Sequence, residues 1–266
     1  MKELTLQELK DIEFNILKMF DSFCKDNNIT YYMSHGTLLG AVKYQKFIPW
    51  DDDVDLLIPR EDYNRMISLF KDNDRYQLFA YEKNQEYRYP YAKLCDMSTR
   101  KVEHGYNNGV ELGVDIDLFP LDAWNDNYEK AKQEVRHIRK NMMCLVLTKL
   151  KNPDSVNPIK RFIKGIVMFF CKMFGSEYFI KKVIKACYKG GRLNNCLGCK
   201  SWPIYGKREI IPAEVFSDTV EVEFEGEKFP APIGFDVYLR SLYGDYEKDP
   251  PPEKQKTHHN YTAYQL

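Results

Sequence analysis

An α+β fold is predicted by three features of the chain: an amphipathic helix near its start, two strands each built on an Asp-x-Asp triplet, and a basic helical stretch between β-rich ends. At 266 residues the chain can bury a substantial core. The simplest division is a core over 1–128, a basic helical insert over 129–200 and a segment over 201–266 that packs back to complete the core.

The first helix is announced by Leu6, Leu9, Ile12, Ile16, Leu17, Phe20 and Phe23 at helical spacing. Thr5-Leu6-Gln7-Glu8 has the form of a capping box that fixes its start, and Lys25-Asp26-Asn27-Asn28 ends it. Residues 29–33 read as a short strand delivering His35 and Gly36. Next comes a predicted turn, Gly36-Thr37-Leu38-Leu39-Gly40, with a helix over 38–43 packed behind it. Gly36 and Thr37 supply backbone amides and a hydroxyl, chemistry suited to a phosphate approaching the main chain.

Asp51, Asp52, Asp53 and Asp55 then place four carboxylates in five residues, and the apolar run Val54, Leu56, Leu57, Ile58 begins inside the cluster. Side chains alternate along a strand, so Asp53 and Asp55 share one face while Val54, Leu56 and Ile58 enter a core. Two like charges that close repel unless a cation holds them. Hard oxygen ligands beside a phosphate suit Mg²⁺, with Mn²⁺ the alternative. The glycine turn and the acidic strand together point to metal-assisted phosphoryl transfer. The plain alternative is a solvated acidic turn after Pro49, which would not need an apolar strand to start among the aspartates. Lys43 and Lys46 lie between turn and strand, within reach of a donor phosphate or simply solvated.

The run GTLLGAVKYQKFIPWDDDVDLLIPR, residues 36–60, with Asp62-Tyr63 after it, resembles the signature of the LicD family, which includes the fukutin-related proteins. The resemblance implies a nucleotidyltransferase-like mixed sheet flanked by helices. It also implies transfer of a phospho-alcohol, such as phosphocholine or ribitol phosphate, from a CDP-alcohol to a glycan, with release of CMP. CDP-choline is the favoured donor, and the acceptor is a glycan, a lipid-linked glycan or a teichoic-acid precursor. Family members usually carry Arg at the position of Lys43, which keeps the charge but loses bidentate geometry.

Pro59 ends the acidic strand, and Arg60 opens a helix to about residue 71 with Tyr63, Met66, Ile67 and Phe70 inward. Arg60 faces either a phosphate or carboxylate partner or a structural salt bridge. Residues 76–119 read as strands at 76–80, 91–95 and 100–102, joined by Asn- and Gly-rich turns. Lys93 lies in the second, a nucleotide or phosphate contact that the resemblance supports more than the local sequence does. Residues 113–120 form the second acidic strand, with Asp115 and Asp117 on one face and Val114, Ile116 and Leu118 on the other. By itself it could be an edge strand with a wet acidic face. The resemblance implies that it lies beside the first and that Asp53, Asp55 and Asp117 hold the metal, since Asp-Leu-Phe-Pro matches the family pattern. Asp115 stays open as the third carboxylate.

Lys plus Arg equals Asp plus Glu, 39 against 39, so nothing global points to nucleic acid. The charge is uneven, however: residues 129–192 hold 16 Lys or Arg and 4 Asp or Glu. There, residues 128–150 and 159–189 carry helical patterns, the second with Phe162, Ile163, Ile166, Phe169, Phe170 and Phe174 among lysines. Either that apolar face is core, or it lies on a membrane surface drawn by anionic lipid. The strongest apolar run, 165–170, is far below the ~20 residues of a membrane span. The start shows no secretory signal, and seven scattered cysteines suggest reduced thiols. The expected location is therefore cytoplasmic, and peripheral at the inner membrane face if that apolar face meets lipid. Cys196-Leu197-Gly198-Cys199 has the spacing of half a zinc site, but no second Cys or His pair follows at a typical spacing.

The tail predicts a hairpin over 219–229, and Tyr243-Gly244-Asp245-Tyr246 and His258-His259 again resemble LicD sequence. His258 and His259 are candidate substrate or phosphate contacts. A choline donor would need an aromatic cage, for which 19 Tyr, 16 Phe and 3 Trp give too many candidates. Two other functions stay open: a nucleotidyltransferase that takes a triphosphate and releases pyrophosphate, and an inactive nucleotide- or glycan-binding scaffold.

Overall fold

The computed structural model describes residues 1–191, 193–257 and 260–266. After β1 (Lys2–Glu3), α1 (Leu6–Asn27) starts at the predicted capping box: Thr5 Oγ1 accepts from the Glu8 N–H, and Glu8 accepts from the Thr5 N–H. Asn28 closes the helix in a left-handed conformation, which Asn tolerates. β2 (Tyr32–Met33) leads into α2 (His35–Tyr44). Here the reading of a glycine turn is corrected, because residues 36–40 are helical. The glycines answer close approach instead of turning the chain. A Cβ on Gly36 would lie 2.5 Å from Asp51 Oδ2, and one on Gly40 2.6 Å from the Lys46 carbonyl oxygen.

β3 (Asp55–Pro59), α3 (Arg60–Leu69), β4 (Tyr76–Phe79), β5 (Ala92–Glu103) and β6 (Leu112–Ala123) follow. β3 begins at Asp55 rather than Asp53, although the Val54 carbonyl still accepts from the Asp117 N–H at 2.8 Å. Val54, Leu56, Leu57 and Ile58 are all buried, so this strand is covered on both faces. The predicted strands at 91–95 and 100–102 are one strand, β5, whose register against β6 shifts between Asp96 and Lys101. Thr99 spans that irregularity, its hydroxyl donating to the Asp96 carbonyl and accepting from the Val114 N–H.

The insert is the helix pair α4 (Tyr128–Lys149) and α5 (Pro158–Cys187), the latter interrupted at Gly175 by φ 76°. β7 (Cys196–Cys199), β8 (Ile211–Pro212), the hairpin β9 (Thr219–Phe224) and β10 (Glu227–Pro232), α6 (Phe235–Tyr243) and β11 (Tyr261–Gln265) complete the chain. Among the described residues there are six α-helices, a two-stranded sheet, and a nine-stranded mixed sheet. The larger runs β1-β11-β5-β6-β3-β2, with β4 on β5 and β7 and β8 beyond β6. β7 and β11 both join this sheet, so the last part of the chain packs back on the core. Within it, β3 and β6 are parallel and β5 is antiparallel to β6.

Candidate active site

Three adjacent strands set three charged residues in a row. Asp117 of β6 is paired with Asp55 of β3 on one side and with Lys93 of β5 on the other. Directly paired residues point to the same face, so the row Lys93, Asp117, Asp55 projects together. Register thus puts Asp117, not Asp115, beside Asp55. α2 fixes the end of the row: the Thr37 hydroxyl accepts from the Asp55 N–H at 2.8 Å, and the Asp55 carbonyl accepts from the Ser34 N–H at 3.0 Å.

Lys93 donates to Asp117 and, at 3.2 Å, to Asp115; Lys101 donates to Asp115 at 3.0 Å. The electrostatics follow from this uneven supply of cations. Burial, with the like charges of Asp53, Asp117 and Asp51, lifts Asp55 well above the usual carboxylate range against the pull of Lys93. Burial would also raise Asp115, but Lys101 and Lys93 outweigh it and hold that carboxyl below its ordinary value. Asp117 is raised, chiefly by burial, with Lys93 opposing. Burial alone would lower Lys93, yet Asp115 and Asp117 keep it firmly protonated.

Asp53, Asp55, Asp115, Asp117 and Lys93 line one cleft of ≈ 350 Å³. Its walls hold further residues that sequence reasoning missed. Lys101 shares the parity of Lys93, a signal hidden by splitting β5 in two. His35, at φ 45°, puts Nδ1 3.9 Å from Asp55 and Nε2 3.6 Å from the buried Glu209, with its ring stacked on Tyr205. Lys149, at the end of α4, lies over the Tyr89 ring; burial pulls its ammonium down to about 7. Glu13 of α1 is fully buried beneath this cluster, and neither carboxylate oxygen has a hydrogen-bond partner among the described residues. Tyr89, Tyr91, Tyr106 and Trp202 form an aromatic wall in the same cleft.

The donor set suits a hard divalent cation. Asp53 and Asp55 bring carboxylate oxygens to a place where Asp55 carries crowded negative charge, the condition that Mg²⁺ relieves while keeping several water or substrate ligands. Among the described residues no three His, Cys, Asp or Glu side chains already form a ligand group, and Asp117 is turned to Lys93.

Of the other predicted site residues, Gly36 and Thr37 stand at the end of the charged row, whereas Arg60 and Lys43 do not line the cleft. Gly36 sits against Asp51 in the first turn of α2, and Thr37 is buried with its hydroxyl on β3. Arg60 makes a bidentate pair with the buried Asp122, at 2.7 and 2.6 Å, and lies over Tyr63 and Tyr188. Its partner is a carboxylate of the fold. Lys43 pairs with Asp249 at 2.5 Å and donates to the Tyr246 carbonyl. His258 and His259 lie outside the described residues. Cys196 and Cys199 stand at the two ends of β7, and all seven cysteines are free thiols.

Residues 28–145 match a family model described as LicD/FKTN/FKRP, nucleotidyltransferase domain, and this range contains the whole charged row. Over its full length the chain is 31% identical, across 277 aligned residues, to the lipopolysaccharide cholinephosphotransferase LicD of Haemophilus influenzae, 100% of which is covered. It is also 35% identical over 115 residues to the uncharacterized protein RP689 of Rickettsia prowazekii, 43% of this chain and 42% of that one. A stretch of 135 residues is 27% identical to mannosyltransferase regulator 4 of Saccharomyces cerevisiae, covering 45% of this chain and 11% of the yeast protein.

Proposed function

The chain belongs to the LicD family and is an enzyme of its transferase type, and from that premise we propose that it moves phosphocholine from CDP-choline to a hydroxyl of a cell-surface glycan, releasing CMP. The observation that carries this reading is the meeting, in one cleft, of the carboxylate row, the lysines and the aromatic wall. Lys93, Lys101 and Lys149 suit the diphosphate of the donor. The faces of Tyr89, Tyr91, Tyr106 and Trp202 suit a trimethylammonium group, which aromatic rings attract through their quadrupoles. The relative named as a cholinephosphotransferase supports choline over ribitol or glycerol, and its lipopolysaccharide substrate supports a glycan acceptor.

In the proposed reaction the acceptor hydroxyl oxygen attacks the phosphorus that bears choline. The bond from that phosphorus to the bridging oxygen breaks, and CMP leaves with the electron pair. The acceptor proton passes to Asp117, whose raised pKa, caused mainly by burial, matches the task of a general base. Asp53 and Asp55 would hold Mg²⁺, which would neutralise charge on the diphosphate and leaving group; were Asp117 to complete the metal shell instead, it would not be the base. The proposed location is cytoplasmic, a reading that the free thiols support.

A second reading draws on the nucleotidyltransferase description of the matching family model: a triphosphate donor and pyrophosphate as product. The scaffold reading has less support, since all three predicted carboxylates line the cleft. ³¹P NMR of the protein with Mg²⁺, a glycan acceptor and, in turn, CDP-choline, CDP-ribitol, CDP-glycerol and CTP separates these readings. CMP from CDP-choline, abolished by chelator, is the expected result. Pyrophosphate from CTP would put the second reading first, and CMP from another CDP-alcohol alone would replace choline.

A further inference from the structure

Over its first half, α5 turns its hydrophobic face outward. Phe162, Ile159, Met173 and Phe169 are 70, 69, 68 and 63% exposed, and Phe170 and Ile166 are exposed with them. At the helical period these six positions fill a continuous arc of about 100°. Met168 and Cys171, on the opposite side, are buried against the body. Lys160, Arg161, Lys164 and Lys172 lie outside the arc, and residues 155–176 contain no acid. A helix that packs on a core has the reverse arrangement. The second half of α5 shows it, with Phe179, Ile180, Val183 and Cys187 buried. Gly175, at φ 76°, marks the change from one arrangement to the other.

We propose that residues 158–174 form an arm that lies in the surface of an anionic lipid bilayer, with the phenyl rings at the acyl boundary and the lysines and arginine among the headgroups. A broad apolar face backed by a cationic one is the pattern of an interfacial helix. No helix among the described residues is long and apolar enough to cross a membrane. A second copy of the chain is the competing occupant. A twofold pairing of this face would leave Lys160, Arg161 and Lys172 with no acid on either arm, Lys164 being paired with Asp154, whereas anionic headgroups answer those charges. The connection from α4, whose Val146 and Lys149 help line the cleft, leads directly to the arm. This inference does not depend on which donor or acceptor the cleft takes.

The test is flotation of the purified full-length chain with phosphatidylcholine vesicles, with and without phosphatidylglycerol, at low and high salt. Binding is expected on the anionic vesicles at low salt, and about tenfold less on neutral vesicles or at high salt. The triple variant Phe162→Ser/Phe169→Ser/Phe170→Ser should lose about tenfold or more of that binding. Its circular dichroism should be unchanged, because these rings are exposed. The inference is overturned if the wild-type chain does not float, or if the triple variant floats equally well. A wild-type dimer in light scattering that the triple variant converts to monomer, without vesicle binding, would give the face to a second copy instead.

Discussion

The two acidic triplets, Asp53-Val54-Asp55 and Asp115-Ile116-Asp117, have the same pattern and lie on paired strands, yet Asp55 and Asp115 are driven in opposite directions. Asp115 is held by two buried lysines from β5 and is ionised below its ordinary range. Burial, together with the neighbouring carboxylates, pushes Asp55 well above that range. Alternation along a strand decides which way a carboxylate points, while the neighbouring strand decides what charge it can keep. Asp115 is spent on holding β5 to β6, while Asp117 beside it and the crowded carboxylates of the first triplet stay turned to the cleft, where the proposed cation would answer them.

The largest expected effect tests that division directly. Asp53→Ala or Asp55→Ala should lower CMP release from CDP-choline by about 10²- to 10³-fold or more, as loss of charge stabilisation in a closed site does. Full activity in either variant would remove the proposed metal pair. Stability should move the other way. A carboxyl whose folded pKa is raised adds stability at acid pH that is lost as pH rises through the folded value. In chelator, Asp55→Asn should therefore melt above wild type near neutral pH, and the gap should close as pH falls to the ordinary carboxylate range. Adding Mg²⁺ should raise the wild-type melting temperature more than that of the variant.

Asp115→Asn should do the opposite. It leaves Lys93 and Lys101 buried without their shared counter-charge, a loss of about 3–5 kcal/mol by analogy with broken buried pairs. Urea melts measure it. The sign with pH is also reversed: a carboxyl held below its unfolded pKa contributes stability above the ordinary range, lost as pH falls through the folded value. An Asp115→Asn chain as stable as wild type would erase the contrast between the triplets.

Local physics made much of the fold readable. Thr5 and Glu8 mark the start of α1, and the alternating apolar residues put Asp53, Asp55 and Asp117 on faces that line one cleft. Register between distant strands is not local, so the pairing of Asp55 with Asp117 came from a family resemblance and not from spacing. Lys101 was lost because an irregularity in β5 made one strand look like two. Lys149 and Glu13 sit on helices whose rotation about their axes the sequence does not state. The same ambiguity left α5 with two readings: its period showed an apolar face, and only packing showed that face turned outward. The backbone freedom of Gly36 and Gly40 suggests a turn over residues 36–40, but both serve close approach within a helix instead.

Arg60 and Lys43 sharpen the comparison from outside the cleft, since sequence offered both as donor contacts. Arg60→Lys keeps the charge but loses the bidentate fork on Asp122, and should cost about 1–3 kcal/mol in urea melts with KM for CDP-choline within about twofold. A smaller effect is expected at Lys43, whose partner Asp249 is half exposed and also accepts from the Tyr44 hydroxyl. An ion pair of that kind contributes about 0–1 kcal/mol. Lys43→Ala should therefore leave both the melt and the KM for CDP-choline nearly unchanged. A KM raised tenfold with an unaltered melt would instead return Lys43 to the donor phosphate, and would mean that the lysines serving the diphosphate extend beyond β5 and α4 to the end of α2.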